Sequence, residues 1–136
     1  MADLAQLNLD MLRRLATVGS QYNVVMSAIQ AYKAKDYAQV LEYGRQLVQS
    51  LAQSDKNFSK MADAQTSQFT SLGSVLDFLK DQNTYPTDTM DAFYNVRKLA
   101  KAAYKDPSQA TEQNAKEAMQ DIQNIYSYLD RKSNMA

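Results

Sequence analysis

An all-α fold, a single-domain bundle of four to five antiparallel helices over residues 1–136, is predicted by three features of the chain. Apolar residues recur every three or four positions in five long segments, the spacing that puts one side chain per turn on a single helix face. Glycine and proline are scarce, three and two in 136 residues, whereas a sheet protein of this size needs many turns built from them. The length is about that of one domain, enough to bury roughly two-thirds of the unfolded chain's surface in a core without disulfides.

The first segment carries Leu4, Leu7, Met11, Leu15, Val18, Tyr22, Val25, Ile29 and Tyr32 on one stripe, which predicts a helix over 3–34. Unbroken, the stripe would be about 43 Å long at about 1.5 Å per residue. Gly19-Ser20 lies mid-stripe and is the natural place for a kink or a break. Lys33 and Lys35 suit a helix C-terminus, and Asp36 suits the N-cap of the next helix, so a tight helical hairpin is expected. The second helix, 37–53, turns Val40, Leu41, Leu47, Val48 and Leu51 inward. Gly44 falls on the same face, where it would let a neighbouring backbone approach.

The third segment, 55–81, has Phe58, Met61, Phe69, Leu72, Leu76 and Leu79 on its stripe. Its first half is weakened by Ser59, Gln65, Thr66, Ser67, Gln68, Thr70 and Ser71. Those residues have low helix propensity or side chains that compete for backbone hydrogen bonds. Residues 81–86 read as a loop, because Pro86 disfavours helix at Tyr85. The fourth helix, 87–105, is expected to be capped by Thr84 or Thr87, with Asp88 and Asp91 favoured in its first turns by the macrodipole. Met90, Phe93, Val96, Ala100 and Tyr104 form its predicted buried face. Ser108 caps the fifth, 109–131, whose stripe is Ala115, Ala118, Met119, Ile122, Ile125, Tyr126 and Leu129.

The residues that are missing narrow the chemistry. The chain has no histidine and no cysteine, which removes Ser-His-Asp triads, Cys-His dyads, disulfides, typical zinc sites and His-containing di-iron bundles. Its three glycines are too scattered for a phosphate-cradling loop, and no Ser-x-x-Lys pattern occurs. No cofactor is expected. The carboxylate pairs Asp77/Asp81, Glu117/Asp121 and Asp88/Asp91 are the remaining candidates for acid–base chemistry or Mg²⁺/Ca²⁺ binding. The competing reading makes them solvated surface groups, with Lys80, Lys116 and a helix N-terminus nearby.

Three clusters are candidates for contacts. Arg97, Lys98, Lys101 and Lys105, with Tyr94 and Tyr104 interleaved, resemble a phosphate-contacting face with aromatics for stacking. The plainer explanation is cations gathered near a helix C-terminus, and the +0 net charge argues against a nucleic-acid partner. Tyr32, Tyr37 and Tyr43 surround the first hairpin and could form a partner-binding face, because tyrosine is enriched at interfaces. The stronger reading makes them half-buried boundary residues of a small bundle. Leu4, Leu7 and Met11 would overhang the bundle if the first helix were continuous, and are the predicted contact of a homodimer.

The run Ala31 to Leu41 resembles part of a tetratricopeptide repeat. One 34-residue period beyond Tyr37, however, stands Ser71 in a polar stretch, without recurrence. In size and helix count the chain resembles the small bacterial immunity and antitoxin-like bundles, a likeness of architecture with no shared motif. The expected function is therefore a non-enzymatic intracellular protein-interaction module. A nucleic-acid-associated regulator using the basic face is the alternative, and an enzyme or metal-binding bundle using carboxylate pairs is a more distant one. With neither a signal-peptide pattern at Met1-Ala2-Asp3-Leu4 nor an apolar span, a cytoplasmic location is expected.

Overall fold

The computed structural model describes residues 7–18, 21–53 and 72–135. Of these, 87% are helical and none lies in a β-strand. The elements are α1 (Leu9–Leu15), a 3₁₀ turn (Ala16–Val18), α2 (Tyr22–Lys33), α3 (Tyr37–Gln53), α4 (Leu72–Asp81), α5 (Thr87–Lys105), a second 3₁₀ turn (Pro107–Gln109) and α6 (Glu112–Met135). No helix among the described residues is long and apolar enough to cross a membrane.

The first stripe is divided between two helices, which corrects the single helix over 3–34. α1 tightens into a 3₁₀ turn, and Gln21 has φ −105° and ψ 25°, outside helical conformation, before α2 begins. Gly19 and Ser20, where a break was anticipated, lie outside the described residues, as do Leu4 and 54–71 with the polar first half of the third segment. The break lets α1 turn back onto α6. Asn8 fixes that junction twice. Its side-chain Oδ1 accepts from the Met11 backbone N–H at 3.0 Å, capping α1, while its own backbone N–H donates to Gln123 Oε1 on α6 at 2.8 Å. Leu12 is fully buried, Leu7 packs half-buried against the core, and Met11 is half-buried. The described part of the first segment is thus seated on the other helices where an overhang was expected.

The hairpin between α2 and α3 forms as its sequence suggests. Lys35 takes a left-handed φ of 63°, which lets the Asp36 N–H reach back to the Ala31 carbonyl at 2.9 Å and close α2. Asp36 Oδ1 accepts from the Gln39 N–H at 3.4 Å. Gly44 makes room for neighbouring side chains and not for the backbone that was expected: a Cβ there would lie 3.2 Å from Val96 Cγ1 on α5 and 3.5 Å from Ile122 Cδ1 on α6.

Two expected caps are replaced. Neither Thr84 nor Thr87 caps α5, because the N-cap position is taken by Pro86, and Asp88 accepts from the Thr89 N–H instead. Ser108 belongs to the second 3₁₀ turn, where its N–H and hydroxyl both donate to Asp106. Thr111 Oγ1 then accepts from the Asn114 N–H, so α6 starts at Glu112 and not at 109.

The main core draws buried residues from every described helix, among them Leu12, Val25, Val48, Leu76, Phe93 and Tyr126. Tyr104 is not part of it. The covered face at the end of α5 runs through Leu99, Ala100 and Ala103, packed with Leu41, Ala110 and Ala118, and Tyr104 falls outside that face with 90% exposure. Tyr126 is fully enclosed, and its hydroxyl has no hydrogen-bond partner among the described residues. Burial alone pushes that phenol up to about 12. An unpaired buried hydroxyl costs about 1–3 kcal/mol, so Tyr126→Phe is expected to raise stability by about 1 kcal/mol in urea denaturation. A loss of stability would show that the hydroxyl is satisfied in solution.

Candidate functional site

α5 and α6 pack closely along their length, and where their polar flanks meet they leave a groove of about 580 Å³. α5 contributes Asp88, Thr89, Asp91, Ala92 and Asn95, and α6 contributes Asp121, Asn124, Ser127 and Arg131. The spacing explains the assembly. Asp88, Asp91 and Asn95 are one turn apart along α5, as are Asp121, Asn124, Ser127 and Arg131 along α6. Their buried neighbours Ala92, Phe93, Val96, Ile122 and Ile125 hold both helices by their apolar sides.

The floor of this region is a hydrogen-bonded seam. Asn95 Nδ2 donates to Asp121 Oδ2 at 2.6 Å and to Glu117 Oε1 at 3.2 Å, so a single amide group ties two carboxylates of α6 to α5. Burial pushes the Asp121 carboxyl up to about 7 from its ordinary 3.8; the Asn95 hydrogen bond opposes the rise and the Glu117 charge adds to it. The expectation that these pairs are solvated surface groups therefore fails for Asp121. It holds for Asp77, Asp81, Asp88 and Asp91, all exposed. Chemically, Asp121 can take up or release a proton near neutrality, and the groove offers acceptors in excess. Among the described residues no group of three or more carboxylates is placed to hold a metal ion.

The other predicted residues are partly dispersed. Tyr32 and Tyr37 meet edge to face at 6.2 Å between ring centroids. Burial, followed by the Glu112 carboxylate, raises both phenols above their ordinary values. Tyr43 instead lines a separate shallow groove with Ser27, Gln30 and Gln39. All three pack half-buried against the core. On α5, Lys98, Lys101 and Lys105 are exposed, but Arg97 is half-buried with its guanidinium over Gly73, where a Cβ would lie 3.0 Å from Nη2. Tyr94 is also engaged: its hydroxyl donates to Asp77 Oδ1 at 2.6 Å, and Lys80 Nζ sits 6.0 Å from its ring centroid. The phosphate-contacting cluster is thus reduced to three lysines and the exposed ring of Tyr104. Arg13 and Arg14 stand on α1, whose main neighbours are α6 and α2, whereas α5 packs on α6, α3 and α4.

Sequence reasoning passed over Asn95, Asn124, Ser127 and Arg131. No protein-family model matches the chain, and neither a curated protein nor a solved structure is detectably similar to it.

Proposed function

We propose that the chain is a non-enzymatic protein-interaction module whose α5–α6 groove receives a cationic side chain or segment of its partner. One observation carries this reading: a concave space lined by the carboxylates of Asp88, Asp91 and Asp121, with Asn95, Asn124 and Ser127 between them and Arg131 as the one cation among the described lining residues. Such a lining favours ammonium and guanidinium groups, which make charge-assisted hydrogen bonds to carboxylates. An immunity- or antitoxin-like role is its narrower form, supported by size and helix count.

A heptalysine peptide titrated into the ¹⁵N-labelled protein is expected to shift the side-chain amides of Asn95 and Asn124. Asp88→Asn combined with Asp91→Asn should weaken that binding about fivefold to tenfold, or about 1–1.4 kcal/mol. No shift in the groove at millimolar peptide would sink the reading. The nucleic-acid alternative keeps one observation in its favour, the exposed Tyr104 beside Lys101 and Lys105. Binding of a single-stranded oligonucleotide that is lost in Lys98→Ala/Lys101→Ala/Lys105→Ala would support it instead.

A further inference from the structure

A chain without histidine or cysteine has no side chain whose ordinary titration falls near neutral pH. Any response of the folded protein between about pH 5.5 and 8 must come from a terminus or from a displaced group, and the helix–helix seam contains one. Asp121 and Glu117 accept from the same Asn95 nitrogen at 2.6 and 3.2 Å, so the two accepting oxygens lie within about 6 Å of each other, within the range at which charged carboxylates disfavour each other's ionisation. Asn95 can satisfy both with its two hydrogens, but it brings no charge to offset theirs.

Among the described residues, the surrounding charges do not relieve the pair. From α5, Asp88 and Asp91 line the same groove and are themselves acidic, and Lys98, one turn past Asn95, is exposed. From α6, Arg131 lines the groove more than two turns beyond Asp121 and is exposed, and Lys116 is exposed. α1 and α3 also pack on α6. Their described ion pairs, Asp10–Arg13 and Glu42–Arg45, are each internal to their own helix. Glu117 is the charged neighbour that bears on Asp121.

We propose that the Asn95–Glu117–Asp121 seam is a proton-operated latch: one proton on the carboxylate pair holds α5 and α6 closed, and its loss loosens the seam and widens the groove beside it. The sign follows from the folded and unfolded titrations. The unfolded Asp121 ionises near its ordinary 3.8, whereas the folded one keeps its proton to about 7. The contribution is complete below about pH 4, declines as pH rises, and is gone above about pH 7. The latch is a property of the free protein. Its consequence for partner binding, tighter capture of a cation once Asp121 is charged, rests on the reading of the groove given above.

The test uses the ligand-free full chain. Thermal midpoints from pH 5.5 to 8.5 are expected to fall by roughly 5 °C, in step with the Asp121 carboxyl resonance and with a shift of the Asn95 side-chain amide. Asp121→Asn, which keeps the shape and the acceptor of the protonated acid, should flatten the profile at its low-pH level. Glu117→Gln should move the midpoint of the fall to lower pH. A flat wild-type profile, or an Asp121→Asn profile as steep as wild type, overturns the latch. A heptalysine peptide added at pH 6 and pH 8 then separates the two ideas. A pH-dependent seam with no peptide binding at either pH leaves the latch standing and rejects the groove as a cation site. Peptide binding of equal strength at both pH values rejects the regulatory consequence.

Discussion

Phe93→Ala is expected to destabilise the protein by about 3–5 kcal/mol, the usual loss when a buried aromatic ring is truncated. Phe93 is fully buried on α5, and its ring lies 5.3 Å from that of Tyr85, which in turn meets Tyr128 of α6 at 5.7 Å. This stack ties the connection before α5 to the far helix, so the substitution removes apolar burial and also the support beneath Tyr85. Urea denaturation measures it. A loss below about 1.5 kcal/mol would mean that neighbouring side chains collapse into the space, as a loosely packed core can.

The second large effect belongs to Leu12→Ala, expected to cost about 2–4 kcal/mol. Leu12 is completely enclosed although α1 is only seven residues long. A helix that short has little stability of its own, so it exists because it is packed. The expected companion result is lost amide protection through residues 9–15 in hydrogen exchange, with the α2–α3 hairpin retained. If α1 instead projected from the fold and served as a dimer contact, Leu12→Ala would leave monomer stability within about 0.5 kcal/mol and halve the mass seen by light scattering. The homodimer through Leu4, Leu7 and Met11 was inferred from such a projection, and the seating of α1 removes that ground for the two residues described.

The sequence made the start of α3 and both ends of α5 legible, because each has its own punctuation: Asp36 before one, Pro86 and Lys105 around the other. Periodicity failed at the first segment because a stripe in register says only that its residues face inward. Leu15, Val25 and Ile29 do pack on one core, but from two helices. Tyr104 misled for the opposite reason. It sits at the right spacing from Ala100, yet the helix's final turn is covered along Leu99 and Ala103.

The groove was half visible. Its carboxylates could be named from the sequence as pairs along single helices, whereas the structure adds that the α6 pair Glu117/Asp121 is bonded to α5 through Asn95, a residue with no mark of its own. A closer reading had one clue. Asp121 lies between Ala118, Ile122 and Ile125, at the margin of a buried apolar stripe, where a carboxylate is liable to be drawn out of water.

The hydrogen bond from Asn8 to Gln123 joins positions 115 residues apart, and it sets the order in which this chain can fold. The α2–α3 hairpin closes over a short connection and can form early, since local closure is fast and entropically cheap. α1 has only part of that option: it touches α2 locally, but its larger docking surface, on α6, is separated from it by nearly the whole described chain. On a ribosome, Leu12 would leave the exit tunnel long before the residues that bury it. Completion of the fold must therefore wait for a long-range closure, and α1 with its apolar face is the part of the nascent chain most in need of protection meanwhile.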